Sequence, residues 1–332
     1  MRALAFRTNG GPEVFEEIDR PVPEVGVGQV LIQVAYAGVN FAEVQHRRGE
    51  FGAPDGPDGY DVPGLEISGT IAAIGAGVGG LTEGETVAAY LPGFGGYAEY
   101  AVADATLVRP IGGVPGAVAA GLPCVFPTAY GVLHDAGRLR PGETVLIHAA
   151  AGGVGSAAAR IARTLKAGRI FGTVGSADKL ALAGSLGYDA LFSRDDFAGQ
   201  VLEATDGRGA DLVLDPVGGL VRKASLEALA PFGRVVVYGD LGRHEDWTAD
   251  VWDLWKTNKT IAGFNIGDLA RRSPATIGDY LADALGALES GGLTLPDPQV
   301  EPLAAASAVH QQLESACTSG KTVLRVATAS QS

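Results

Sequence analysis

To about residue 118, apolar positions come in short runs separated by Gly, Pro and Asp. Runs rich in β-branched and aromatic residues predict strands at 30–37, 69–74, 86–89 and 97–102. The stretch 49–64 between the first two is too rich in turn formers for regular structure. This pattern predicts an irregular, mostly antiparallel β domain. Near residue 119 the texture changes. A helix is predicted at about 126–137, and the turn Arg140-Pro141-Gly142-Glu143 launches an apolar strand over 144–149. A small-residue helix follows at 154–166, then a strand at 169–174 and a helix at 177–186. Apolar strands recur at 211–214, 234–238 and 260–264, with helical stretches between them. Strands apolar on both faces that alternate with helices predict a parallel sheet covered on both sides. The remainder reads as a helix at 277–290, a Pro-rich extended stretch at 295–302, a helix at 304–315, a strand at 322–326 and a frayed tail at 327–332.

Composition narrows the function classes. A chain of 332 residues has room for about two domains. With 46% hydrophobic and 19% charged residues, disorder is excluded as its main state. A net charge of −13 repels phosphate backbones and anionic lipid, which argues against nucleic acid and membrane surfaces as partners. A phosphate-bearing ligand must therefore be held by a local pocket. Two cysteines, Cys124 and Cys317, are too few for a disulfide framework or a four-thiolate zinc site and read as free thiols. The first residues lack an apolar signal region, and no apolar run approaches about 18 residues, so the expected location is the cytoplasm.

The most informative stretch is Thr144-Val145-Leu146-Ile147-His148-Ala149-Ala150-Ala151-Gly152-Gly153-Val154-Gly155. An apolar strand runs into a glycine turn that opens a helix. Glycine lets the backbone pass close to a pyrophosphate, whose charge meets N–H groups at the helix N-terminus, and Gly155 lets the helix pack close to the strand. The spacing is A-x-x-G-G-V-G rather than G-x-G-x-x-G, so the strand-turn-helix context carries the reading: a dinucleotide site at Gly152, Gly153, Val154 and Gly155. NAD-preferring sites usually carry an acid at the end of the next strand. Here that end reads Gly172-Thr173-Val174-Gly175-Ser176, with Asp178 lying beyond it beside Lys179. Ser176 and Lys179 suit a 2′-phosphate, with Arg194 closing over the adenosine side, and NADPH is the expected cofactor.

Beyond that turn, the chain carries Gly38-Val39-Asn40-Phe41, Val62-Pro63-Gly64-Leu65-Glu66-Ile67-Ser68-Gly69 and Gly95-Gly96-Tyr97-Ala98-Glu99-Tyr100. It also carries Pro127-Thr128-Ala129-Tyr130 and Asp211-Leu212-Val213-Leu214-Asp215-Pro216-Val217-Gly218-Gly219. Together these resemble the medium-chain dehydrogenase/reductase superfamily, in its zinc-free quinone oxidoreductase branch, over nearly the whole chain. The resemblance implies an α/β fold with a GroES-like β-rich catalytic domain (1–120) and a Rossmann doubly wound parallel sheet domain (121–264). A last segment, 265–332, returns to the catalytic domain. It also implies that Asn40 and Thr128 lie near the nicotinamide and the acceptor, Asn40 offering an N–H to a carbonyl oxygen. Gly239, Gly263, Phe264 and Asn265 complete the cofactor's surroundings.

Zinc alcohol dehydrogenases of the superfamily have Cys and His at the positions of Asn40 and Leu65. Neither Asn nor Leu replaces a thiolate or an imidazole on zinc, so no metal is expected and Glu66 reads as structural. Without a Lewis acid, an electron-poor quinone or activated enone is the acceptor that needs least help. Related quinone reductases often have tyrosines at positions matching Gln45 and Phe51, and Tyr60 in the same loop is the candidate to substitute. An adenosine-side tyrosine of relatives corresponds to Ser193. An arginine corresponds to Ala316, with Lys321 following closely.

The five histidines show no metal spacing, and His148 reads as a satisfied core residue. Trp247, Trp252 and Trp255 form a loose helical stripe suited to packing, an acceptor cleft or a dimer contact. An exposed strand at 260–264 would need cover, and family members commonly pair there, so a homodimer is expected. The expected function is NADPH-dependent, metal-free reduction of a small quinone. The alternatives are reduction of an activated C=C bond (enone, enal or enoyl), with Tyr60 as proton donor, and a non-catalytic NADPH-binding sensor.

Overall fold

The computed structural model describes residues 1–56, 58–241 and 249–326. The chain forms two compact units, one of residues 1–127 with 267–332 and one of residues 128–266. The sequence-based boundaries stood at 120 and 264.

The first unit is built on the long strand Gln29–Val39. It pairs antiparallel with Glu66–Ile74, with Tyr100–Asp104 and with the C-terminal strand Thr322–Arg325. That last pairing sets Thr322 opposite Val39, so the end of the chain runs alongside Asn40. Strands Thr86–Tyr90, Val108–Pro110 and Gln299–Pro302 complete the sheet. Its interior is aliphatic, with Val30, Ile32, Ile67, Val87 and Leu324 all inaccessible to solvent. Helix Pro274–Glu289 lays Leu281 and Leu285 against Ala88, Ile111 and Leu122. A small hairpin of Arg2–Ala5 and Glu16–Asp19 was not foreseen from the sequence. Strand 97–102 was placed too early. The N–H groups of Gly95, Gly96 and Tyr97 bond to the carbonyls of Val62, Gly64 and Pro63, which holds this segment out of the ladder until Tyr100.

The second unit is a six-stranded parallel sheet. In spatial order its strands are Ala190–Ser193, Arg169–Val174, Thr144–Ile147, Ala210–Asp215, Leu229–Val237 and Thr260–Gly263. This is the order of a doubly wound Rossmann sheet, whose direction of progression reverses beside Thr144–Ile147. Val145, Leu146, Ile147, Leu212, Val213 and Leu214 are all fully buried, as a central strand covered on both faces requires. The predicted helix 177–186 is instead a 3₁₀ segment, Ala177–Leu182, followed by one α-turn, Ala183–Leu186, that stops at left-handed Gly187. Only Leu186 is buried there, too short an apolar stripe to hold a regular helix against the sheet. The strand predicted over 144–149 ends at Ile147, and Ala149 turns the chain with φ +52°. Trp252 and Trp255 stack on each other at 4.5 Å on helix Val251–Thr257 and are mostly exposed, so they are not part of the core. Trp247, His244 and the tail 327–332 lie outside the described residues.

Candidate functional site

The parallel sheet brings most of the predicted cofactor residues to one edge. Gly152, Ser176, Arg194, Gly239 and Phe264 each follow the C-terminal end of a different strand of this sheet. Helix Gly153–Thr164 begins directly after Gly152, whose extended backbone forms the N-cap. The first-turn N–H groups of Gly153, Val154 and Gly155 have no acceptor one turn earlier in the helix. A Cβ at Gly155 would lie 2.6 Å from the Ala149 carbonyl oxygen, 2.8 Å from that of Ala150 and 2.9 Å from Ala150 Cα. Only glycine allows the helix to start this close to the turn. Tyr188, which the sequence reading missed, fixes the turn from beneath. Its buried hydroxyl donates to the carbonyls of Gly155 (2.8 Å) and Ala150 (3.2 Å).

At the next strand end, Ser176 caps the 3₁₀ segment and Lys179 donates its backbone N–H to the Ser176 carbonyl at 3.2 Å. Arg194 lies across the same end: a Cβ on Gly175 would be 2.9 Å from its Nη2. Arg194 Nε is buried with no hydrogen-bond partner among the described residues. The nearest strand-end acid on the other side, Asp215, is already committed. It accepts from Val217 and Gly218 N–H and pairs with Arg222 at 2.6 Å, while Arg222 also donates to the Gly239 carbonyl. His148 bonds Thr173 Oγ1 at 2.7 Å and Ser225 Oγ at 2.8 Å, and burial pushes it down to about 4, so it is a neutral core residue. Thr128 is buried on helix Val125–Leu133, three residues before Gly131, whose missing side chain leaves room for the Phe264 ring. Asn265 follows Phe264 at this end of the sheet.

The other predicted residues sit in the first unit. Asn40 is the N-cap of helix Phe41–Arg47 and forms a capping box with Glu43. Its backbone N–H donates to Glu43 Oε2 at 2.8 Å, and Glu43 Oε1 accepts the Leu65 N–H at 2.9 Å. The Asn40 side-chain amide donates to Glu66 Oε1 at 3.1 Å and toward Glu43 Oε1 at 3.4 Å. Its oxygen accepts from Lys321 Nζ at 2.7 Å. Glu66 is wholly buried, its second oxygen accepting the Cys124 N–H at 2.7 Å. Burial is the main cause that raises the Glu43 carboxyl to about 7, with Lys321 opposing it, and burial also pushes the Cys124 thiol well up. Lys321 therefore belongs to the Asn40 cluster and does not stand in for a phosphate-binding arginine. Gln45, on helix Phe41–Arg47, bonds Glu50, and Phe51 beyond the helix is exposed. Tyr60 directs its hydroxyl toward Glu16 at 3.4 Å, with the Arg7 guanidinium over its ring. Among the described residues, no group of three His, Cys, Asp or Glu is placed to hold a metal ion, and no helix is long and apolar enough to cross a membrane.

Two families match this chain: the alcohol dehydrogenase GroES-like domain over residues 26–113 and the zinc-binding dehydrogenase family over residues 153–283. The chain is 32% identical over 341 residues to a quinone oxidoreductase of Pseudomonas aeruginosa, covering 97% of this chain and 99% of that protein. A mycobacterial protein solved in complex with NADPH superimposes with a TM-score of 0.89 at 31% identity, covering 98% of this chain and 100% of the other. The CurK enoyl reductase superimposes with a TM-score of 0.85 at 27% identity, covering 98% of both chains. The chain spans only 11% of a reducing polyketide synthase of Cochliobolus heterostrophus, to which it is 33% identical over 292 residues. With both units accounted for by matching families and a full-length relative at this identity, the chain belongs to the medium-chain dehydrogenase/reductase superfamily of oxidoreductases, in its quinone oxidoreductase branch.

Proposed function

We propose that the protein reduces a small quinone at the expense of NADPH, without a metal. The observation that carries the reading is the sheet edge where a glycine turn, obligatory at Gly155, stands beside the end of strand Arg169–Val174. That end carries no carboxylate through Ser176 and has Arg194 of the neighbouring strand end packed against Gly175. The residues fit this cofactor: Gly152, Gly153, Val154 and Gly155 would take the pyrophosphate on backbone N–H groups. Ser176, Lys179 and Arg194 would take the 2′-phosphate, and the Asp215 carboxylate, neutralised by Arg222, does not oppose it. Bound there, NADPH would supply a hydride, which with one proton from solvent would take the quinone to the hydroquinone. Thr128, Phe264 and Asn265 would orient the nicotinamide, and Asn40 would border the acceptor. Asn40 and Leu65 offer neither thiolate nor imidazole to zinc, so an acceptor whose conjugation spreads developing charge suits this chain better than an unactivated carbonyl. The edge strand Thr260–Gly263, next to the exposed Trp252–Trp255 pair, would join two copies into a homodimer.

The likeness to an enoyl reductase supports a second reading, reduction of an activated C=C bond, with Tyr60 delivering a proton to the α-carbon. The two are separated by NADPH oxidation with a para-quinone and a 2-alkenal assayed side by side. Faster quinone turnover, unaffected by Tyr60→Phe, is the expected result. Faster alkenal turnover that Tyr60→Phe depresses would replace the first reading with the second. Tight NADPH binding with turnover of neither acceptor would leave the non-catalytic sensor.

A further inference from the structure

The Lys321 ammonium lies in the first unit among three oxygens: Glu66 Oε1 at 2.5 Å, Asn40 Oδ1 at 2.7 Å and the Val39 carbonyl at 2.8 Å. An ammonium has three N–H donors, and all three are used here. The site is built for it. A Cβ on Gly121 would sit 2.9 Å from Lys321 Cγ, and a Cβ on Gly38 would sit 2.4 Å from Glu66 Oε1, so two glycines open the way for the two charged side chains. On its other side the Asn40 amide meets Glu66 and Glu43. Turning that amide over would set its NH₂ against the ammonium and its oxygen against the carboxyl oxygens of Glu66 and Glu43. Its orientation is thus dictated by charge rather than by shape.

We propose that Lys321 is a positioning residue: its ammonium fixes the orientation of the Asn40 amide, and through it the acceptor-side loop. This goes further than neutralising Glu66 and rests, for its catalytic consequence, on the hydride-transfer reading above. Two roles must be separated, because removing Lys321 also strands a buried carboxylate. Lys321→Met removes both the clamp and the counter-charge. Lys321→Met with Glu66→Gln removes the clamp but leaves no stranded charge at Glu66. Glu66→Gln alone, which changes the acceptor of the Asn40 amide but keeps the ammonium, is the reference against which the double variant is read.

The experiment compares wild type, the two single variants and the double variant by melting temperature, by steady-state turnover of NADPH with a para-quinone, and by the ¹H–¹⁵N resonances of the Asn40 side-chain amide. The expected result is that Lys321→Met lowers the melting temperature and that the double variant is less destabilised than Lys321→Met. It stays below wild type, because a glutamine at 66 turns its NH₂ toward the Cys124 N–H or the Asn40 amide. Relative to Glu66→Gln, the double variant should be depressed about tenfold or more in kcat, with the KM for NADPH nearly unchanged and the Asn40 amide resonances shifted. A double variant with the kcat and the Asn40 resonances of Glu66→Gln would overturn the proposal and reduce Lys321 to a counter-ion. If the wild type turned over neither a quinone nor an alkenal, the hydride-transfer reading would fall, while the Asn40 resonances would still decide whether the clamp exists.

Discussion

Glu43→Gln tests the buried cluster through its dependence on pH. The Glu43 carboxyl is raised from 4.5 to about 7, chiefly by burial, with Lys321 and the Leu65 N–H pulling the other way. Between these two values the folded protein holds a proton that the unfolded chain has lost. Stability from this group is therefore complete below about pH 4.5 and is lost as pH rises toward 7. The loss amounts to roughly 3 kcal/mol. Wild type alone will not reveal it. His148 and His310 are pushed down by burial to about 4 and about 3 and change stability in the opposite sense over an overlapping range. The comparison with Glu43→Gln cancels both. Glutamine cannot titrate, and its NH₂ faces one of the two backbone N–H groups, of Asn40 or Leu65, that the carboxyl accepts from. That mismatch costs about 1–3 kcal/mol at every pH. Urea unfolding followed by circular dichroism at pH 5, 6, 7 and 8 should show Glu43→Gln clearly less stable than wild type at pH 5. The gap should close by most of that 3 kcal/mol by pH 8. A gap independent of pH would refute the reasoning and make Glu43 an ordinary ionised partner of Lys321.

Three further outcomes follow from the nucleotide side. Gly155→Ala forces its Cβ against three backbone atoms, so the turn must shift at a cost of about 1–3 kcal/mol. Fluorescence titration should then show NADPH affinity reduced about tenfold or more, and unchanged affinity would remove the turn from the pyrophosphate site. Arg194→Gln should weaken NADPH binding about tenfold while leaving NADH binding within about twofold, and equal losses for both would deny Arg194 the 2′-phosphate. Tyr188→Phe strips the two hydroxyl bonds beneath the glycine turn, and urea unfolding should register a loss of about 1–2 kcal/mol. No loss would mean that packing alone holds the turn.

What the sequence disclosed and what it withheld divide along a physical line. The strand, turn and helix from Thr144 to Thr164 could be read because every constraint on them is local: a strand buried on both faces, then glycines where backbone must approach backbone. The doubly wound sheet followed from the same alternation. The 3₁₀ segment at Ala177–Leu182 escaped because residue preferences there are not decisive and little of it is buried. Tyr188 escaped because its role lies in two carbonyls 33 and 38 residues away. Lys321 is the sharpest instance. In the sequence it is a basic residue near the C-terminus, noted only for its place just after Ala316, and nothing local ties it to Asn40. Its acceptor on Asn40 lies 281 residues earlier in the chain. Only the pairing of Thr322 with Val39, which depends on the register of the whole C-terminal strand, brings the ammonium between Glu66 and Asn40. A one-residue slip in that register would put Lys321 on the opposite face of the sheet and leave Glu66 buried without its cation. The stranded carboxylate is itself a penalty against the slipped pairing, so the same ion pair that orients Asn40 also helps select the strand alignment that creates it.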